Sequence, residues 1–178
     1  IQNPKFVKIW ERSFANELGR LAQGVGNRLE GTDTIFFIKR SQVLGHKKVT
    51  YGRLVVDYKP HKLDSHCTSL TVGSNLLEYT VEVRTSTANL STMKILDNSV
   101  ISTPNAKFMT NNIKNFYLGT PLDRNEYMKL PLTLFPQHTI EQYNFRKNEK
   151  EGFVYVEIRR DIYGLPQSGI LANKQLRE

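Results

Sequence analysis

Asn112 stands at the end of a strand-like run, AKFMTNNIKNFYLG, where metal-assisted phosphoryl transfer would require a carboxylate. Divalent metals of that kind need hard anionic oxygens. An amide offers one neutral carbonyl oxygen and cannot balance two divalent charges. Asn111 and Asn115 flank it and add no charge, and no adjacent pair of aspartates occurs in the chain. Asp123 and Glu126 follow the Gly119-Thr120-Pro121 turn, where a surface or capping role is the simpler reading. His46, His61, His66 and His138 have no metal-ligand spacing with the single cysteine, Cys67. The remaining chemistry is cationic. Arg53 lies in GRLVVDYKP, and Lys47 and Lys48 lie in the basic turn GHKK. Arg53 read alone is a surface strand arginine, and Asp57 a local ion-pair partner for Lys59 or Arg53. Phe116, Tyr117 and Leu118 read alone are core packing.

These residues need elements to position them. Trp10, Phe14, Leu18, Leu21 and Val25 recur at helical spacing, which predicts a helix over 8–25 weakened by Gly19, Gly24 and Gly26. TIFFIKR and VTYGRLVVDY read as two strands of an antiparallel hairpin with a basic tip. Pro60 ends the second. TSLTVG and LLEYTVEV are further strand candidates. Leu90, Met93, Leu96 and Val100 share a stripe on a helix over about 88–102, with Thr87 as N-cap. A strand is expected over 107–113, another over 127–130, and a helix over 136–143 after Pro136. NFRKNEKEG is a charged loop in which Glu149 and Glu151 offset Lys147 and Lys150. FVYVEIR alternates most cleanly, and a helix starts near Ile170. The order predicts an α+β fold.

The chain has 178 residues and a formal net charge of +8. That length suits one domain with a core of its own. The charge reads either as a solvated, solubilising face or, more sharply, as attraction to a polyanion such as nucleic acid. One cysteine excludes an internal disulfide framework and implies a reducing compartment. No apolar run reaches the length of a membrane span. The first residue is Ile1 and the last falls in a helix-like run, so both ends read as cut.

Three segments carry a resemblance. NNIKNFYLGTPLDRNEYMKL, residues 111–130, resembles the first catalytic motif of retrotransposon reverse transcriptases, with Asn112, Ile113 and Tyr117 in the aspartate, hydrophobic and aromatic places. IYGLPQSG resembles the second motif, and GRLVVDYKP resembles the fingers strand. The palm segments look copia-like and the fingers strand gypsy-like.

The resemblance implies an α+β fingers and partial palm of an RNA-directed DNA polymerase. A fingers-like part would run to about residue 105 and the start of a palm would follow over 106–178. It implies that Arg53, Lys47 and Lys48 meet a triphosphate and that Asp57 has a structural or template-positioning role on the same strand. Tyr117 would act as the sugar gate, and Gln167 and Gly169 would lie near template and nucleotide. Mg²⁺ would serve an intact member, and none is expected here because Asn112 replaces the metal-binding aspartate. The implied partners are an RNA or DNA template-primer, dNTP and the rest of a polyprotein, with no membrane. The implied location is intracellular, in a cytoplasmic particle or the nucleus. The expectation is a catalytically inactive copy, or else a nucleic-acid-binding remnant of the same domain.

Overall fold

The computed structural model describes residues 6–79, 82–85, 89–111 and 113–178. Helix α1 (Val7–Leu21) opens the chain because Phe14, Leu18 and Leu21 fall on one side and are buried. Its C-cap is Ala22, and the chain turns just beyond it at Gly24, whose φ of +96° suits a residue without a Cβ and whose N–H reaches the Gly19 carbonyl at 2.8 Å. Strands β1 (Ile35–Ile38), β2 (Val49–Tyr58) and β3 (His66–Val72) follow. Then come α2 (Leu90–Ser102), α3 (Phe116–Gly119), β4 (Pro121–Pro131), α4 (Gln137–Gln142), α5 (Phe145–Asn148), β5 (Phe153–Arg160) and α6 (Ser168–Arg177).

The five strands form one sheet in the order β1-β5-β4-β2-β3. All neighbours are antiparallel except β2 and β4, which run parallel from Val49 opposite Tyr127 to Tyr51 opposite Lys129. The sheet curls into a half-barrel. Its inner face holds the main core. Val154, Val156 and Ile158 of β5 meet Met128 and Leu130 of β4, Leu70 and Val72 of β3, and Phe14, Leu18 and Leu21 of α1. The outer face carries a second cluster, in which Ile38, Tyr127 and Tyr155 are buried together with Val43 from the segment between β1 and β2.

Several expectations are corrected here. The fold is a small α+β domain with a curled sheet, not the fingers and partial palm of a polymerase. β1 and β2 are not a hairpin: β1 pairs with β5, and β2 lies between β3 and β4. Strand pairing rewards non-local apolar matching over chain proximity, and Ile35 and Phe37 find theirs on β5. No strand forms among the described residues of 107–113, all of which are exposed. Nor does one form in the described residues of LLEYTVEV. The expected cap Thr87 lies outside the described residues; α2 is capped instead by the Asn89 side chain, which accepts from the Ser91 N–H at 2.8 Å.

Candidate functional site

The structure separates the residues singled out in the sequence. Asn112 lies outside the described residues. Arg53 is exposed on β2, and its guanidinium makes no ion pair among the described residues. Asp57, on the same strand, pairs with Lys59 at 3.3 Å. Lys47 and Lys48 line a small cleft with Glu78, Arg124 and Glu126. There Lys48 is ion-paired to Glu78 and holds that carboxyl below its usual range, chiefly through their hydrogen bond. Arg124 donates to Glu126 at 2.7 Å, and its guanidinium lies over the Tyr79 ring. Glu126 is buried, which the sequence reading of a surface or capping role did not anticipate. Two of the three lysines and arginines of this cleft are thus paired with its two carboxylates.

Tyr117 is half-exposed on α3, its ring 5.8 Å from that of Tyr163. Gln167 is buried at the start of α6, and Gly169 follows in the first turn against Thr85. Tyr117 is thus joined through Tyr163 to the segment that holds Gln167. Among the described residues, no hydrogen bond, ion pair or ring contact links this group to Arg53, Lys47 or Lys48.

The strongest cationic convergence lies elsewhere. Lys39, Arg40, Ser41, Lys147, Asn148, Glu149 and Lys150 line an open cleft of about 490 Å³. Two distant segments build it. The first leaves β1 after Ile38 and turns through a short 3₁₀ helix (Arg40–Gln42). Its entry is held by the Lys39 N–H donating to Gln42 Oε1 at 2.8 Å. The second is α5. It is anchored by Phe145, which is fully buried against Phe37 at 4.4 Å and Phe135 at 4.6 Å between ring centres. The chain then turns back through Glu151 and Gly152, both at positive φ, and the Lys150 and Phe153 backbones exchange hydrogen bonds at 3.0 and 3.1 Å.

The expected charge cancellation is only partial: Glu149 lines the cleft beside the four cations, and Glu151 does not. The Gly152 N–H donates to Glu149 Oε1, so the Glu149 carboxylate is engaged by backbone. No lysine or arginine of this cleft forms an ion pair among the described residues. Lys39, Arg40, Lys147 and Lys150 are all exposed. Four like charges around one cavity raise the local potential and favour an anion.

Arg40 joins the cleft to the outer sheet face, its guanidinium 5.5 Å from the Tyr155 ring centre. Register sets a row across that face: Ile38, Tyr155, Lys129 and Tyr51 are successive partners on β1, β5, β4 and β2. Lys129 lies 4.5 Å over Phe153, and Arg159 lies 4.0 Å over Phe36. Cations and aromatic rings therefore alternate on this face. Tyr127 is buried in it, and burial with the nearby Glu157 pushes its phenol up from the usual range.

A third cleft, about 650 Å³, lies between α1 and β3, where Lys8, Arg12 and Arg20 share the lining with Glu17 and Asp64. Arg20 is bound there to Glu17 at 2.6 Å and to Asn115 at 3.1 Å. Its charge is partly spent.

The sequence reading missed Lys39, Arg40 and the meeting of α5 with the end of β1. The available signal was the KR pair closing TIFFIKR, which the text of the chain places far from RKNEK.

No protein-family model, no curated protein and no solved structure matches the chain. Among the described residues, no group of three or more His, Cys, Asp or Glu is placed to hold a metal ion. The resemblance to retrotransposon reverse transcriptases is accordingly corrected. Short motifs shared in order carried it, and neither a matching family nor the fingers-and-palm fold stands behind them. The assignment as a retrotransposon RNA-directed DNA polymerase, active or inactive, or as a remnant of one, falls with it.

Proposed function

We propose that this chain is a binding domain for single-stranded nucleic acid, which lies along the outer face of the sheet. The observation that carries the reading is the convergence of Lys39, Arg40, Lys147 and Lys150 on one cleft without an ion-paired counter-charge among the described residues. Unpaired cations of this kind suit phosphate oxygens. A single small phosphate would need only the cleft. The continuation through Arg40 to Phe153, Phe36 and Tyr51 favours a longer ligand, whose bases stack on rings while its phosphates meet cations. The formal charge of +8 adds a general attraction that needs no base contact.

Fluorescence anisotropy with labelled RNA and DNA strands of about 12 nucleotides tests the reading. Binding is expected at about 50 mM salt and should weaken steeply as salt rises. The double variant Lys147→Glu, Lys150→Glu removes two phosphate contacts, each contributing roughly 0.7 to the log–log salt slope for single strands. Its slope should therefore be shallower by about 1.4, in addition to weaker binding. No binding at low salt, or a slope unchanged in the double variant, rejects the proposal.

A further inference from the structure

Helix α2 buries none of its 13 residues against the rest of the described chain. From Asn89 to Asn111 every described residue is exposed except Val100, which is half-buried. An isolated helix of this length is marginal in water, because nucleation is costly and tertiary packing normally supplies the stability. The composition does not match solvent on all sides. Leu90 is 68% exposed, Leu96 47% and Ile101 82%. At about 100° per residue, these three fall with Met93 and Val100 within one half of the circumference.

Lys94 lies at the edge of that half and Asp97 within it, between Met93 and Leu90 in projection, and neither forms an ion pair among the described residues. Being three residues apart, they are neighbours on one side of the helix. Two antiparallel copies of α2, related by a two-fold axis crossing midway between these residues, would set Lys94 of one copy level with Asp97 of the other. The same symmetry would repeat the pair in reverse. The apolar stripes would face each other, and two opposite charges that are unpaired in one copy would find partners in the next.

We infer that α2 is a self-association surface, whose occupant is α2 of a second copy in antiparallel orientation with reciprocal Lys94–Asp97 pairs. One helix face is small for an interface, so the dimer is expected to be weak and concentration-dependent. It does not rest on the nucleic-acid reading, and its residues lie outside the basic cleft.

Charge exchange tests it, because each variant's own helix is the same in its homodimer and in the mixture. The variants Lys94→Asp and Asp97→Lys should each self-associate more weakly than the parent, since like charges then meet. Mixed together, they restore both opposite-charge pairs. Sedimentation velocity with one variant labelled should show a heterodimer roughly tenfold tighter than either homodimer. Leu96→Asp should abolish association of the parent chain. A mixture no more associated than its components overturns the inference, as does a dimer that survives Leu96→Asp. A parent chain that stays monomeric at millimolar concentration with α2 helical would mean another protein covers the helix, and would overturn it too.

Discussion

Asp161 should make the protein less stable as pH rises from about 4 to 7, and Asp161→Asn should remove that loss. The residue follows β5 directly and is fully buried. Its Oδ1 accepts a hydrogen bond from the Ser168 hydroxyl at the start of α6, and its Oδ2 has no partner among the described residues. Burial raises the carboxyl from 3.8 to about 6, against the lowering effect of the Ser168 and Ile162 hydrogen bonds. The sign follows from proton counting. Between those two values the folded chain holds a proton that the unfolded chain has lost, so stability falls as pH rises through the window. A shift of about 2 units corresponds to a ceiling of about 3 kcal/mol. Asparagine reproduces the shape of the protonated acid and cannot ionise. It can still accept from Ser168, and its amide nitrogen replaces an oxygen that had no partner. Urea unfolding of both proteins from pH 4 to 8 checks this, with the difference between them cancelling the titration of every other group. The two should be close at pH 4, and the variant should gain steadily, up to about 3 kcal/mol by pH 8. A difference that stays flat across the range, or a parent chain that gains on the variant as pH rises, refutes the reasoning.

Two further outcomes follow from the basic cleft. Glu149→Gln removes the carboxylate among the cleft's lining residues while leaving an oxygen for the Gly152 amide, so oligonucleotide binding at about 50 mM salt should tighten several-fold with little change in melting temperature. Phe145→Ala removes the ring that anchors α5 between Phe37 and Phe135; it should cost roughly 3–5 kcal/mol by denaturant unfolding. At temperatures where that variant is still folded, it should also bind oligonucleotide more weakly than the parent.

The local elements were legible where one face repeats at a fixed period. Phe14, Leu18 and Leu21 mark α1, and Val154, Val156 and Ile158 mark β5, because burial on one side imposes its spacing on the chain. The partners of those elements were not legible. Ile35 and Phe37 carry no signal that their strand meets β5 rather than β2, since any apolar strand face satisfies the same local pattern. The run over 107–113 reads as a strand, yet none of its described residues joins a strand ladder and all of them are exposed. The motif resemblance failed for a related reason. A few residues in order constrain a short turn, not the sheet that must hold it.

The sequence by itself determined the positive charge, the absence of a disulfide framework and the positions of the buried faces, because these depend only on residue type and spacing. The tertiary structure alone decided which cations are free. Lys48 faces Glu78, so its charge is spent. Lys147 and Lys150 stand among glutamates in the chain, but Phe145 carries α5 to the end of β1, where Lys39 and Arg40 join them around a cleft that Glu149 alone lines with a carboxylate. Charge counted along the chain cancels pairwise; charge in the fold acts through distance.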